Sequence, residues 1–256
     1  MKKAFKIATA VALTAAFSVA AAACGETHSN LKKEGWEEII SYAQDISTYR
    51  VICTTVKQNE DLITETFEAD LERAEPRLHY EKSGNSSGTL ANEYAMMDSD
   101  QDTFRYSWDF SEDAQMWRWI KWNATPSEGE KNAAFVAFQK EHDLRDDFLG
   151  ITYYPKGVEE GVDLKGMYSY LTYQHGQWVT DRIEFEYCGT RYTGHVDVEN
   201  IADNIESFRS NKKGLLFNVW LTMTIDGVPC TWVYSFQSRT SGFVTTLPTY
   251  AEFITD

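Results

Sequence analysis

Trp36, Ile39, Ile40 and Ala43 recur at the spacing of one helical face, and beyond Ser47 the apolar period drops to two. The pattern predicts a helix starting near Asn30, with Ser29 and Asn30 as capping side chains. Tyr49 to Val56 then reads as a strand, Asn59-Glu60 as a turn, and Ile63 to Leu71 as the return, with Ile63, Phe67, Ala69 and Leu71 on one face. A two-residue loop opposes Val56 to Ile63 and Ile52 to Phe67. Further strands are expected at Arg77 to Lys82, Leu90 to Met97, Thr103 to Phe110 and Gln115 to Trp122, divided by the Ser/Gly/Asn stretch at 83–88 and by acidic turns. Short, evenly spaced strands of this kind make an antiparallel meander.

One helix interrupts the strands. Ser127-Glu128-Gly129-Glu130 has the form of a capping box, followed by the small-residue face Ala133, Ala134, Ala137 and Phe138, and the helix is expected to end near His142. Strands resume from Met167 to Tyr187 around a turn at His175-Gly176. Val198, Ile201, Ile205 and Phe208 fall at helical spacing, so a second internal helix is expected before Gly214. Asp226-Gly227 is the strongest local signal. A type I′ turn there opposes Ile225 to Val228, Met223 to Cys230, Leu221 to Trp232, Val219 to Tyr234 and Phe217 to Phe236. The same exercise across Ser111 to Ala114 opposes Trp108 to Trp117 and Tyr106 to Trp119. No linker or repeat divides residues 30–256, which read as a single β-rich domain.

The N-terminus belongs to targeting and not to this fold. Lys2, Lys3 and Lys6 precede an uncharged, Ala-rich run from Ile7 to Ala23, so residues 1–23 read as a signal peptide. Ala21-Ala22-Ala23-Cys24 resembles a bacterial lipobox, with Ala21 where Leu is usual; an ordinary signal-peptidase site at Ala21 and Ala23 is the competing reading. A cysteine placed directly between the small-residue run and a polar stretch favours lipid attachment at Cys24, with residues 24–29 as a lipidated tether. The expected location is then the cell envelope, outside the cytoplasm, with the domain lipid-anchored to a membrane.

Processing removes three Lys and no acid, so the formal net charge moves from −15 to −18. That charge excludes nucleic acid, whose phosphates demand a basic face. Cys53, Cys188 and Cys230 remain, enough for one disulfide at most, and none of the spacings is CxxC. HExxH, GxSxG, GxxxxGK[ST] and GxGxxG are all missing, so no catalytic residue, metal or cofactor is assigned and no enzyme is expected. His79 and His195 lie on expected strands and His175 in a turn, as surface or internally satisfied side chains. Asp98-Ser99-Asp100-Gln101-Asp102 alternates carboxylates as a calcium loop does, but Thr103 stands where the sharp bend needs Gly, and a solvated acidic turn fits better. Glu141-His142-Asp143 with Asp146 and Asp147 reads as a wet surface at a helix end.

Tyr, Phe and Trp make up 14% of the chain, and the pattern gathers many of them on named strand faces. Phe104, Tyr106, Trp108 and Phe110 share one face, Trp117 and Trp119 lie across from them, and Trp122 points the other way. Core packing, a lined apolar cavity and an exposed platform for sugar rings all use such stripes.

The order of elements resembles the LolA-like superfamily of bacterial lipoproteins, which includes LppX-like lipid-binding members. The resemblance is carried by the export signal, the lead helix, Ser47-Thr48-Tyr49-Arg50-Val51 entering a long hairpin, and Pro76-Arg77-Leu78-His79-Tyr80 on the next strand. The Trp-rich strand pair, the helical insertion and the closing Leu247-Pro248 extend it. It implies a mainly β (α+β) fold: one large curved antiparallel sheet, or half-barrel, with helices covering its concave face. It also implies a lipid or acyl chain held between them, lined by Phe217, Val219, Leu221, Trp232, Tyr234 and Phe236. The functional expectation is a membrane-anchored, extracytoplasmic lipoprotein that binds or senses a hydrophobic ligand. The alternative is a surface module whose exposed aromatic residues bind glycan or a protein partner.

Overall fold

The computed structural model describes residues 31–111, 116–202, 205–210, 214–238, 243, 246–249 and 251–254. The signal sequence, Cys24, the tether and the expected caps Ser29 and Asn30 lie outside the described residues. Helix α1 (Lys33–Asp45) leads, and strands β1 (Thr48–Lys57), β2 (Ile63–Asp70), β3 (Arg77–Gly84), β4 (Gly88–Met97), β5 (Thr103–Ser111) and β6 (Met116–Asn123) follow as a meander. Helices α2 (Ala133–His142) and α3 (Leu144–Leu149) come next. The chain continues through β7 (Thr152–Tyr154), a 3₁₀ turn (Gly166–Tyr170), β8 (Thr172–Gln174), β9 (Gln177–Val179), β10 (Ile183–Tyr187) and β11 (Thr190–Glu199). Helix α4 (Ile205–Ser210), β12 (Leu216–Ile225), β13 (Val228–Ser238) and β14 (Ala251–Ile254) complete it.

The fourteen strands among the described residues join one curved sheet in the order β14-β6-β5-β4-β3-β2-β1-β13-β12-β11-β10-β7, with β9 beside β11 and β8 beside β9. Among the described residues the two ends of that order do not pair, so the sheet is an open half-barrel. Among the described residues, every pairing is antiparallel except β14 on β6. The β12–β13 hairpin closes on Asp226 and Gly227 at φ 50° and 80°, as a type I′ turn requires, and its register is the expected one from Phe217↔Phe236 to Ile225↔Val228. Gly194 lets β11 come close to β12, since a Cβ there would meet the Thr222 carbonyl oxygen at 2.0 Å.

Two expected registers are corrected. In β1–β2 the pairing is Val51↔Phe67 and Thr55↔Ile63, one residue from expectation, because the connecting loop is longer than two residues. This register sets buried Tyr49 and Val51 against buried Ala69 and Phe67, and a one-residue slip would turn one of those rows to the other face. In β5–β6 the pairs are Trp108↔Trp119 and Phe110↔Trp117, two residues from expectation. A shift of two keeps every side chain on its face, so Trp117 and Trp119 still lie across from Trp108 and Phe110, and Trp122 points the other way.

Helix boundaries move for similar local reasons. The expected capping box does not form: Gly129 has φ 104°, α2 starts only at Ala133, and Asn132 gives no side-chain cap. Phe135 and Phe138 are the buried residues of α2, in place of an alanine face. Met167 sits in the 3₁₀ turn, and Val198 belongs to β11, which shortens the second internal helix to Ile205–Ser210. Helix α1 buries Trp36, Ile39, Ile40 and Ala43 as its periodicity predicts, and the Trp36 indole N–H donates to the Leu164 carbonyl at 3.0 Å. The core lies between the helices and one sheet face, where Tyr49, Val51, Phe67, Ala69, Leu78, Ala95, Phe217, Val219, Tyr234 and Phe236 are buried.

Candidate functional site

The six residues expected to line a ligand space are brought together on the helix-facing side of β12 and β13. Phe217, Val219, Leu221, Tyr234 and Phe236 have no exposed surface, and Trp232 is half-buried. Phe148 of α3 caps them, with ring centroids 6.1 Å from Phe217, 5.4 Å from Tyr234 and 6.5 Å from Phe236. The Tyr234 and Tyr187 hydroxyls meet at 2.5 Å, and the Tyr187 ring lies 5.4 Å from Trp232. Cys53 pairs across β1–β13 with Tyr234, and burial pushes its thiol up to about 12. It is a buried hydrophobe and not a nucleophile. Cys53, Cys188 and Cys230 are all free thiols.

The acidic stretch at the end of α2 differs from the wet surface expected of it. Asp143 is buried, and it ties three elements together. It accepts a short hydrogen bond from the Tyr49 hydroxyl of β1, accepts from the Arg145 amide at 3.0 Å, and pairs with the Arg145 guanidinium at 3.2 Å. Arg145 also donates to the Ile46 carbonyl at 3.0 Å, beyond the end of α1, while its guanidinium stacks 4.1 Å above the Tyr49 ring. Asp147, one turn along, is half-buried, and desolvation together with Glu65, Asp143 and Asp146 pushes its carboxyl up to about 6. Beside it, His142 stacks on Tyr80 at 4.3 Å, and burial lowers its pKa. Tyr80 donates to Glu65 at 2.6 Å, and Arg105 pairs with Glu93 at 2.7 Å. The sheet face against α2 and α3 therefore carries charged groups, Glu65 and Glu93, as well as rings.

On the opposite sheet face, Glu68 joins Arg50 at 2.6 Å and His79 Nδ1 at 3.1 Å, while His79 Nε2 reaches the Asn92 oxygen at 3.1 Å. His79 is thus internally satisfied. Its ring stacks on Tyr94 at 4.2 Å, and the Arg50 guanidinium lies 4.7 Å over the Phe243 ring. The Asp98 carboxylate closes a turn on the amides of Asp100 and Asp102, both at 2.9 Å. Among the described residues, no group of three or more His, Cys, Asp or Glu is placed to hold a metal ion.

At the far end of the same face the packing gives out. Trp108, Phe110 and Trp117 are 39%, 43% and 56% exposed, and Met116, which points to the other side of β6, is 57% exposed. The rings pair edge to face, Trp108 with Trp119 at 5.6 Å and 61°, Phe110 with Trp117 at 6.1 Å and 71°. Large rings left in water at the tip of one hairpin form the kind of apolar patch that marks contact surfaces.

No family model matches the chain, and no curated protein matches it. Among solved structures, a crystal structure of MucB in complex with MucA(peri) aligns with 82% of this chain and 99% of that one, at 10% identity and a TM-score of 0.15. A TM-score that low carries no weight for fold or function.

Proposed function

We propose that the chain is a non-enzymatic lipoprotein of the cell envelope, anchored through Cys24, that recognises a partner through the aromatic tip of its β5–β6 hairpin. One observation carries this reading: Trp108, Phe110 and Trp117 stay substantially exposed in a molecule that buries rings as large as Trp36, Tyr49 and Tyr153 completely. Burying three such rings against a partner removes a few hundred Å² of apolar area from water, at about 25 cal/mol per Å². Trp117→Ala leaves no cavity, so thermal unfolding is expected to be unchanged while binding to envelope glycans or proteins falls. Unaltered binding in that variant would sink the reading.

The expectation of a lipid or acyl ligand, and with it a LolA-like fold, stands as a second proposal. What favours it is that the rings of Phe217, Tyr234 and Phe236 are covered by Phe148 of the six-residue α3. Displacing so short a helix would open a lining of the composition that an acyl chain requires, at about 0.8 kcal/mol per buried CH₂. Native mass spectrometry of delipidated protein incubated with fatty acids tests it; no retained acyl chain counts against it.

A further inference from the structure

Helix α3 is six residues long and buries Leu144, Phe148 and Leu149, with Phe148 over the rings of Phe217, Tyr234 and Phe236. A helix this short gains little from its own backbone hydrogen bonds, so what its side chains meet decides how firmly it sits. Its two ends are held unequally. At the start, Asp143 accepts from the Tyr49 hydroxyl and the Arg145 amide, and pairs with the Arg145 guanidinium. At the far end, the Tyr153 hydroxyl reaches the Phe148 carbonyl at 3.3 Å, beyond the usual range for a hydroxyl donor. The start is therefore the pivot, and the turn that carries Asp147 and Phe148 is the part able to lift.

Asp147 precedes Phe148 and keeps acidic company. Desolvation first, then Glu65 of β2, then Asp143 and Asp146 beside it set its carboxyl at about 6. Among the described residues it makes no hydrogen bond or ion pair that would offset a charge there. Glu65 is engaged elsewhere, accepting from the Tyr80 hydroxyl at 2.6 Å and pairing with Lys82 at 3.3 Å. The other groups that feel the Asp147 charge are Cys53 of β1, Tyr80 of β3, Tyr187 of β10 with Cys188 after it, and Tyr234 of β13. All are acids whose protons burial first, and the Asp147 charge with it, hold in place. From α2, His142 stacks on Tyr80 and faces Glu65, Glu93 and Arg105. A proton on Asp147 thus suits the seated helix, and a charge on it suits water.

We propose that α3 is a proton-operated cover over the apolar lining of β12 and β13: seated while Asp147 carries its proton, and lifted from Phe217, Tyr234 and Phe236 more often once Asp147 and Glu65 both carry charge. The inference rests on the acyl-ligand reading above for what the uncovered lining receives, and adds to it the condition under which the lining opens. Lifting the last turn of α3 moves the Asp147 carboxylate into water and takes Phe148 off the three rings in one motion, since the two residues are neighbours on a helix too short to bend between them.

The test uses the full chain at pH 5 and pH 8. Hydrogen exchange gives the protection factor of the Gly150 amide, which donates to the Asp146 carbonyl at 2.9 Å, with amides of the central strand β3 as the reference for global opening. A carboxyl at about 6 in the seated helix, and in the ordinary range when lifted, makes opening roughly three- to tenfold more frequent at pH 8. Asp147→Asn is expected to abolish that difference, leaving at most the opposite trend set by His142. Glu65→Gln, which keeps an acceptor for Tyr80, is expected to narrow it. A difference below about twofold in the parent, the same difference in Asp147→Asn, or equal loss of protection in β3 overturns the proposal. The second readout is uptake of a pyrene-labelled long-chain alcohol, uncharged at both pH values. Its affinity is expected to rise from pH 5 to pH 8 by the same factor in the parent and to stay level in Asp147→Asn. Uptake without the exchange difference overturns the cover and leaves the acyl reading standing. The exchange difference without uptake overturns the acyl reading and, with it, the role given to the cover.

Discussion

Asp147 shows how the α2–α3 junction responds to pH. Burial and the neighbouring carboxylates of Glu65, Asp143 and Asp146 raise it to about 6. Between the ordinary carboxylate range and that value, the folded protein holds a proton that the unfolded chain has released, so stability falls as pH rises through this window. Asp147→Asn removes the effect. At pH 7 it is expected to stabilise the protein by about 1 kcal/mol, the full shift being discounted for partial exposure, and at pH 4 to change little. Urea unfolding at the two pH values measures it. His142 works in the opposite sense: its lowered pKa keeps the imidazole neutral when folded, so its share of stability is lost as pH falls below the usual histidine value. Asp143 is structural at any pH where it is charged. Asp143→Ala leaves the half-buried Arg145 guanidinium over Tyr49 without its carboxylate, and is expected to cost about 3 kcal/mol in the same assay.

At the scale of elements, α3 is the piece on which the packed site depends. Phe148 bridges to Phe217, Tyr234 and Phe236, so Phe148→Ala is expected to cost about 3–5 kcal/mol and to increase hydrogen exchange across β12 and β13. The sequence carries little signal for this helix. Leu144, Phe148 and Leu149 are its buried residues, but six residues give too little periodicity, and Asp146-Asp147 between them look like solvated surface. The β12–β13 hairpin was legible to the last pair because a two-residue turn with positive φ at both positions leaves no freedom of register. Where the loop was longer, as in β1–β2, length alone could not set the register, and only the matching of buried rows decides it. The Arg50–Glu68–His79–Asn92 row was hidden for the same reason, since its members come from four strands and meet only once the register is known. The aromatic stripes were legible as faces, but their exposure at one end depends on where the helices and the rest of the chain stop covering the sheet.

At the scale of the whole molecule, the two proposed working ends lie on strands far apart in the sheet order. The start of α1 is held on the β7–β11 side, where the Tyr168 hydroxyl donates to the Leu31 carbonyl and Trp36 packs on Trp178. In the sheet order, seven strands separate β11 from β6, about 40 Å along the sheet at the usual strand spacing. The seven residues from Cys24 to Asn30 reach about 25 Å at full extension. If Cys24 carries a lipid as proposed, the anchor would hold the α1 side near the bilayer and leave the aromatic tip turned outward. The net charge of −15, which becomes −18 if residues 1–23 are removed as expected, also opposes close approach of the body of the chain to anionic headgroups. Cys24→Ala is accordingly expected to move the protein from the membrane to the soluble fraction at any salt concentration, with unchanged thermal unfolding and unchanged Trp117-dependent binding. If Cys24→Ala protein still sediments with membranes, and adding Trp117→Ala releases it, the tip rests on the bilayer itself and the outward orientation is wrong.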